Sequence, residues 1–130
     1  MDENERVVRE FFERLAAADA AGAVELLHTD VVWRNTGLPT FRGRRVGGML
    51  LDSERRGVTV EVAMHHAAAS GDVVLTDRTD TLRLGRWSTS FWVRGTFRLQ
   101  DGLIVLWDDA FSWVDLAKGG VVGLRGVVKF

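Results

Sequence analysis

The chain has 130 residues, 46% hydrophobic and 27% charged, and 17 Lys plus Arg against 18 Asp plus Glu leave a formal net charge of −1. Such a chain is expected to fold as one domain over residues 1–130 with a real core, and its balanced charge speaks against a nucleic-acid partner. The absence of cysteine excludes disulfides, thiolate metal sites and a thiol nucleophile. The start, Met1-Asp2-Glu3-Asn4-Glu5, is unlike a signal peptide, and no apolar run approaches the ~20 residues of a membrane span. The expectation is a cytoplasmic protein without a membrane partner.

The first third reads as helical. Asp2 or Asn4 can cap a helix in which Val7, Val8, Phe11, Phe12 and Leu15 recur at spacings of three and four, forming one apolar stripe. Asp19 can cap a second, shorter helix through His28, with Val24 and Leu27 inward. Val31-Val32-Trp33-Arg34-Asn35 reads as a short strand, broken by Thr36-Gly37-Leu38-Pro39. A third helix is predicted from Gly43 to Arg56, with Val46, Met49 and Leu50 inward and Gly57 as the stop.

From Val58 the period changes to two. Strands are predicted at about 58–68, 73–84, 87–99 and 103–113, separated by the hairpin signals Gly71-Asp72, Gly85-Arg86 and Asp101-Gly102. Helices followed by consecutive strands define an α+β fold, a mainly antiparallel meander with helices on one face. The Gly- and Val-rich tail from Lys118 to Phe130 yields no readable element; it is expected to lie over an opening or across a neighbouring subunit.

Alternate residues of a strand share a face. Sorted this way, Val58, Val60, Val62, Met64 and His66 point inward and His65 outward. Val74, Thr76, Arg78, Asp80, Leu82 and Leu84 share a face, as do Trp87, Phe91, Val93, Phe97 and Leu99. Leu103, Val105, Trp107, Asp109, Phe111 and Trp113 form the fourth inner face, and Trp33 shares a face with Asn35. The interior polar set is therefore Asn35, His66, Arg78, Asp80 and Asp109. A buried ion costs several kcal/mol unless paired. One guanidinium between two carboxylates satisfies that requirement. A dry site raises the pKa of one carboxyl, which would leave a neutral acid beside a charged base. Arg–Asp pairs on strands are more often structural than catalytic. The convergence of three ionisable groups and an amide on apolar faces favours a site.

His65 and His66 point to opposite faces and cannot form a two-ligand metal site, and no dinucleotide or phosphate-cradling fingerprint is present. Neither metal nor cofactor is expected. The arginines at 42, 44, 45, 55 and 56 read as a solvated face.

Leu75-Thr76-Asp77-Arg78-Thr79-Asp80 resembles the Arg-x-Asp strand of limonene-1,2-epoxide hydrolases, and Trp107-Asp108-Asp109 resembles the segment that ends on their catalytic aspartate. Trp33-Arg34-Asn35 looks like the family's Tyr-x-Asn. Phe41-Arg42-Gly43-Arg44, His66 twelve residues before Arg78, and Leu124-Arg125-Gly126 add weaker matches. The resemblance implies the cone-shaped fold of nuclear transport factor 2, also called SnoaL-like, with a strongly curved sheet enclosing a pocket, and it implies a homodimer. It also implies roles. Asp109 would be the general base, Asn35 would orient the attacking water, Asp80 would be the general acid and Arg78 would bridge the two carboxyls. Trp33 stands where the family has tyrosine; an indole donates a hydrogen bond but cannot accept one.

The expected walls are Leu38, Met49, Leu50, His66, Leu82, Phe91, Val93 and Phe111, suited to a small apolar epoxide. Two alternatives remain. One is an isomerase or polyketide cyclase on the same fold, using one carboxylate as base and His66 or Trp33 as oxyanion donor. The other is a non-enzymatic apolar-ligand-binding dimer with Trp87, Trp92 and Trp113 at its interface. Enolisable ketones discriminate the first, and ligand binding indifferent to Asp109→Asn the second.

Overall fold

The computed structural model describes the backbone of residues 1–127 and the side chains of residues 1–120. Helices α1 (Glu3–Ala16), α2 (Ala20–Val24) and α3 (Arg44–Arg55) pack on a curved mixed sheet. Its strands are β1 (Leu27–Asn35), β2 (Phe41–Arg42), β3 (Thr59–Ser70), β4 (Val73–Leu84), β5 (Trp87–Gln100) and β6 (Leu103–Phe111), and α4 (Trp113–Val127) follows them. The sheet order is β2-β1-β6-β5-β4-β3. The β3–β6 meander is antiparallel, while β1 lies parallel to β6. This is the predicted α+β architecture of the nuclear transport factor 2 type, with one parallel pair added.

Asp2 caps α1, its Oδ1 accepting from the N–H groups of Asn4 and Glu5 at 2.8 and 3.1 Å. The α1 stripe of Val7, Val8, Phe11 and Phe12 is buried against Leu27, Val31, Val74, Phe97, Leu99, Ile104 and Trp107. Phe11 and Phe12 meet Trp107 edge-on, with centroids 5.1 and 6.0 Å away. Gly47 lets α3 approach α2: a Cβ there would lie 3.0 Å from Val24 Cγ1.

The second helix is shorter than expected. It ends at Val24, and His28 lies in β1, its Nδ1 accepting from Asp30 N–H at 3.0 Å. The cause is tertiary. Ile104 N–H donates to Leu26 O, and Leu27 pairs with Ile104, so β6 pulls this segment into the sheet. The parity rule fails at two bulges. In β3 the register shifts between Met64 and His66, which turns both His65 and His66 to the outer surface. The expected inward His66 is thus corrected: an extra residue inserted in a strand flips everything beyond it. In β6 an irregularity opposite Arg98 and Leu99 puts Ile104, not Leu103 or Val105, in the core.

The tail forms α4 against β5. Thr89 Oγ1 donates to Leu116 O at 2.9 Å, and a Cβ on Gly119 would lie 2.4 Å from Ser90 O, so only glycine allows that approach. The Leu124-Arg125-Gly126 side chains lie outside the described residues.

Candidate active site

The helices, the inner sheet face and the start of α4 enclose a cavity of about 430 Å³. Leu38, Met49, Leu50, Leu82, Phe91, Val93 and Phe111 line it, as do Trp33, Asn35, Asp80 and Asp109. Of the site residues read from the sequence, Arg78 lies behind the wall and His66 lies elsewhere. The His66 side chain is 83% exposed, and its Nδ1 is 3.2 Å from Asp77 Oδ2 on the outer face. Trp113 starts α4 and lines the cavity, whereas Trp92 on β5 is exposed.

Alternation in β4 puts Arg78 and Asp80 on one face, and Asp109 reaches the same place from β6, two strands away. Arg78 is fully buried. Its Nε donates to Asp80 Oδ1 at 2.9 Å, and its Nη2 donates to Asp80 Oδ2 at 3.2 Å and to Asp109 Oδ2 at 2.6 Å. Phe12 lies 4.4 Å below the guanidinium carbon, a cation–π contact that excludes water from that side. Removing one partner of such a buried pair typically costs about 3–5 kcal/mol.

Asp109 has unequal oxygens. Oδ2 accepts from Arg78 and, at 2.9 Å, from Trp107 Nε1. Oδ1 is buried without a hydrogen-bond partner. Burial raises the Asp109 pKa to about 6, against the opposing pull of Arg78. Trp33 Nε1 is likewise buried and unpartnered. Its ring stacks on Trp107 with centroids 4.2 Å apart and planes 15° from parallel. Asn35 is opposite Asp109 in the β1–β6 ladder. The side chains that carry this orphan donor and this orphan acceptor, Trp33 and Asp109, both line the cavity, as does Asn35. Buried polar groups seldom remain unpaired, and a water or a ligand oxygen would satisfy both.

Sequence reasoning missed Trp107 as a donor to Asp109, Thr76 as a partner of Arg78, and Phe12 and Leu116 as pocket walls. The Trp-x-Asp spacing was the one available signal: two residues apart on a strand places indole and carboxylate side by side. Among the described residues no group of three or more His, Cys, Asp or Glu is placed to hold a metal ion.

A carboxyl pair bridged by arginine beside an apolar cavity is an arrangement suited to proton transfer on a bound molecule. Residues 2–121 match the limonene-1,2-epoxide hydrolase catalytic domain. The chain is 38% identical over 121 residues to epoxide hydrolase EphG of Mycobacterium tuberculosis, covering 93% of this chain and 81% of that protein. The structure of an M. tuberculosis LEH-like epoxide hydrolase superposes with a TM-score of 0.92 at 38% identity, covering 97% of this chain and 95% of the other. The epoxide hydrolase/cyclase-like enzyme SalBIII shares the fold, with a TM-score of 0.74 at 19% identity, over 86% of this chain and 92% of its own. The chain belongs to the limonene-1,2-epoxide hydrolase family, and as such is an enzyme of the epoxide hydrolase type.

Proposed function

We propose that the protein opens a small apolar epoxide to a vicinal diol in one step, by direct attack of water and without a cofactor. The observation that carries this reading is the division of labour on Asp109, a residue of the cavity lining: Oδ2 is tied down by Arg78 and Trp107, while Oδ1 is unpartnered. A water there donates one proton to Oδ1 and accepts from Trp33 Nε1, with the Asn35 amide orienting it. A lone pair of its oxygen attacks one epoxide carbon as the C–O bond breaks. Asp109 takes the water proton and Asp80 gives its own to the departing oxygen. The net result is one proton moved from Asp80 to Asp109, and solvent restores the starting state. A base with a pKa near 6 is well matched to neutral pH, because it is ionised yet still basic.

The apolar walls favour a substrate held by shape and burial, with the epoxide oxygen as its polar handle. The isomerase alternative loses one of its two oxyanion donors, because His66 is on the outside. The test is a panel of terpene, cyclohexene and styrene oxides assayed for diol. Asp80→Asn and Asp109→Asn are each expected to lower turnover by about 10²–10⁴-fold while an apolar ligand still binds. In a single turnover in heavy-oxygen water the label enters the diol; label found in Asp109 would contradict direct water attack.

The same reading includes a homodimer through the open sheet face, where Leu75 and Trp92 stand 53% and 49% exposed. Light scattering at micromolar concentration is expected to give twice the chain mass, and a monomer would refute this part.

A further inference from the structure

The hydrogen bonds on Arg78 are unequal between the two carboxyl groups. Asp80 takes the Nε/Nη2 edge with both oxygens, whereas Asp109 takes one bond from Nη2. A guanidinium has a second planar edge, Nη1/Nη2, that matches a carboxylate fork equally well. If Asp109 took that edge, both its oxygens would be engaged and Oδ1 would be a weaker acceptor for a proton from water. Nη1 donates instead to Thr76 Oγ1 at 3.1 Å, and Thr76 Oγ1 donates to Gly95 O at 3.5 Å. Thr76 is 5% exposed and Arg78 0%, so solvent does not replace the hydroxyl. Gly95 leaves the space this pair occupies: a Cβ there would lie 2.5 Å from Nη1 and 2.7 Å from Oγ1.

We infer that Thr76 is a positioning residue for the reaction: its hydroxyl holds Arg78 Nη1, which keeps the arginine bidentate on Asp80 and monodentate on Asp109 and leaves Asp109 Oδ1 free. The inference rests on Asp109 as the base. The charged groups facing Asp109 are Arg78 and Asp80, both on β4. From the other elements come Asn35 on β1, Trp107 on β6 and Phe12 on α1, none of which ionises in the working range.

Without the hydroxyl, Nη1 is free to turn to Oδ1. That adds a charge-assisted bond to the ionised form of Asp109 and lowers its pKa from about 6. The experiment compares Thr76→Val, Thr76→Ala and Thr76→Ser in the full chain. It reads kcat and KM on an epoxide that the parent hydrolyses, together with the Asp109 carboxyl titration by carbon NMR. The Val and Ala variants are expected to lose about tenfold or more in kcat, with KM within about twofold. Their Asp109 titration moves to lower pH than in the parent, and the Ser variant restores both. Unchanged kcat, or a lost kcat with an unmoved titration, would overturn the inference. The titration needs no turnover, so it is read independently of the reaction. An Asp109→Asn variant that forms diol at the parent rate would overturn the base assignment instead, whatever the Thr76 variants do.

Discussion

Asp109 shows how much chemistry can depend on which oxygen is tied down. Its Oδ2 carries two donors and its Oδ1 none, so the residue is both an ion-pair member and a free acceptor. Arg78, Asp80 and Asp109 were legible in the sequence, because charged residues at inward parity among large apolar neighbours are costly and therefore meaningful. Thr76 and Trp107 were not. A threonine or tryptophan on an inner strand face is ordinary β-sheet composition, and only the folded distances reveal their bonds. Gly95 belongs with them. Gly95→Ala is expected to push Nη1 off its seat or bend β5, lowering turnover at least tenfold and destabilising the fold by about 1–3 kcal/mol. The control is Gly48→Ala, where a Cβ meets nothing within 4 Å in a helix interior. That change is expected to leave activity intact and add about 0.5–1 kcal/mol. Turnover and urea midpoints of the two variants check the contrast.

The elements differ in how clearly the sequence announced them, and the differences have local causes. The first helix and the three hairpins were legible, since a 3.6-residue stripe and the Gly-Asp, Gly-Arg and Asp-Gly turns are local signals. The inner face of β4 was legible too, because the strand runs unbroken through Arg78 and Asp80. Bulges in β3 and β6 were not legible, since composition does not mark an inserted residue. Counting parity through the first placed His66 inside, and counting through the second hid Ile104. Leu27-His28 continues a helical pattern by itself and becomes strand only through the parallel pairing with β6, about 77 positions away in sequence. The last helix is rich in glycine and valine, poor helix formers. Contacts with β5 at Thr89 and Ser90 supply what propensity lacks. In doing so they bring Trp113 and Leu116 to the wall of the cavity.

For the whole molecule, the site is a source of instability that the rest of the fold offsets. Asp109 has a pKa of about 6 in the folded protein against 3.8 for an unperturbed carboxyl. The folded state therefore binds its proton more tightly than the unfolded chain does. The stabilisation from that proton is fully present below about pH 4 and is lost as pH rises through about 6, some 3 kcal/mol in total. Glu3 and Asp77 act in the opposite direction. Hydrogen bonds from Arg6 and Trp92 hold their pKa values below normal, so their contribution is lost as pH falls. Because both signs are present, the pH dependence of the parent alone does not isolate the site, but a difference does. Urea unfolding of the parent and of Asp109→Asn, measured from pH 4 to 7, is expected to show the parent losing ground against the variant as pH rises, with the difference levelling off above about pH 6.5. The variant proposed above to lower turnover is thus also the one whose stability is expected to lose this slope. A constant difference across the range would mean that burial does not raise the Asp109 pKa in the folded state.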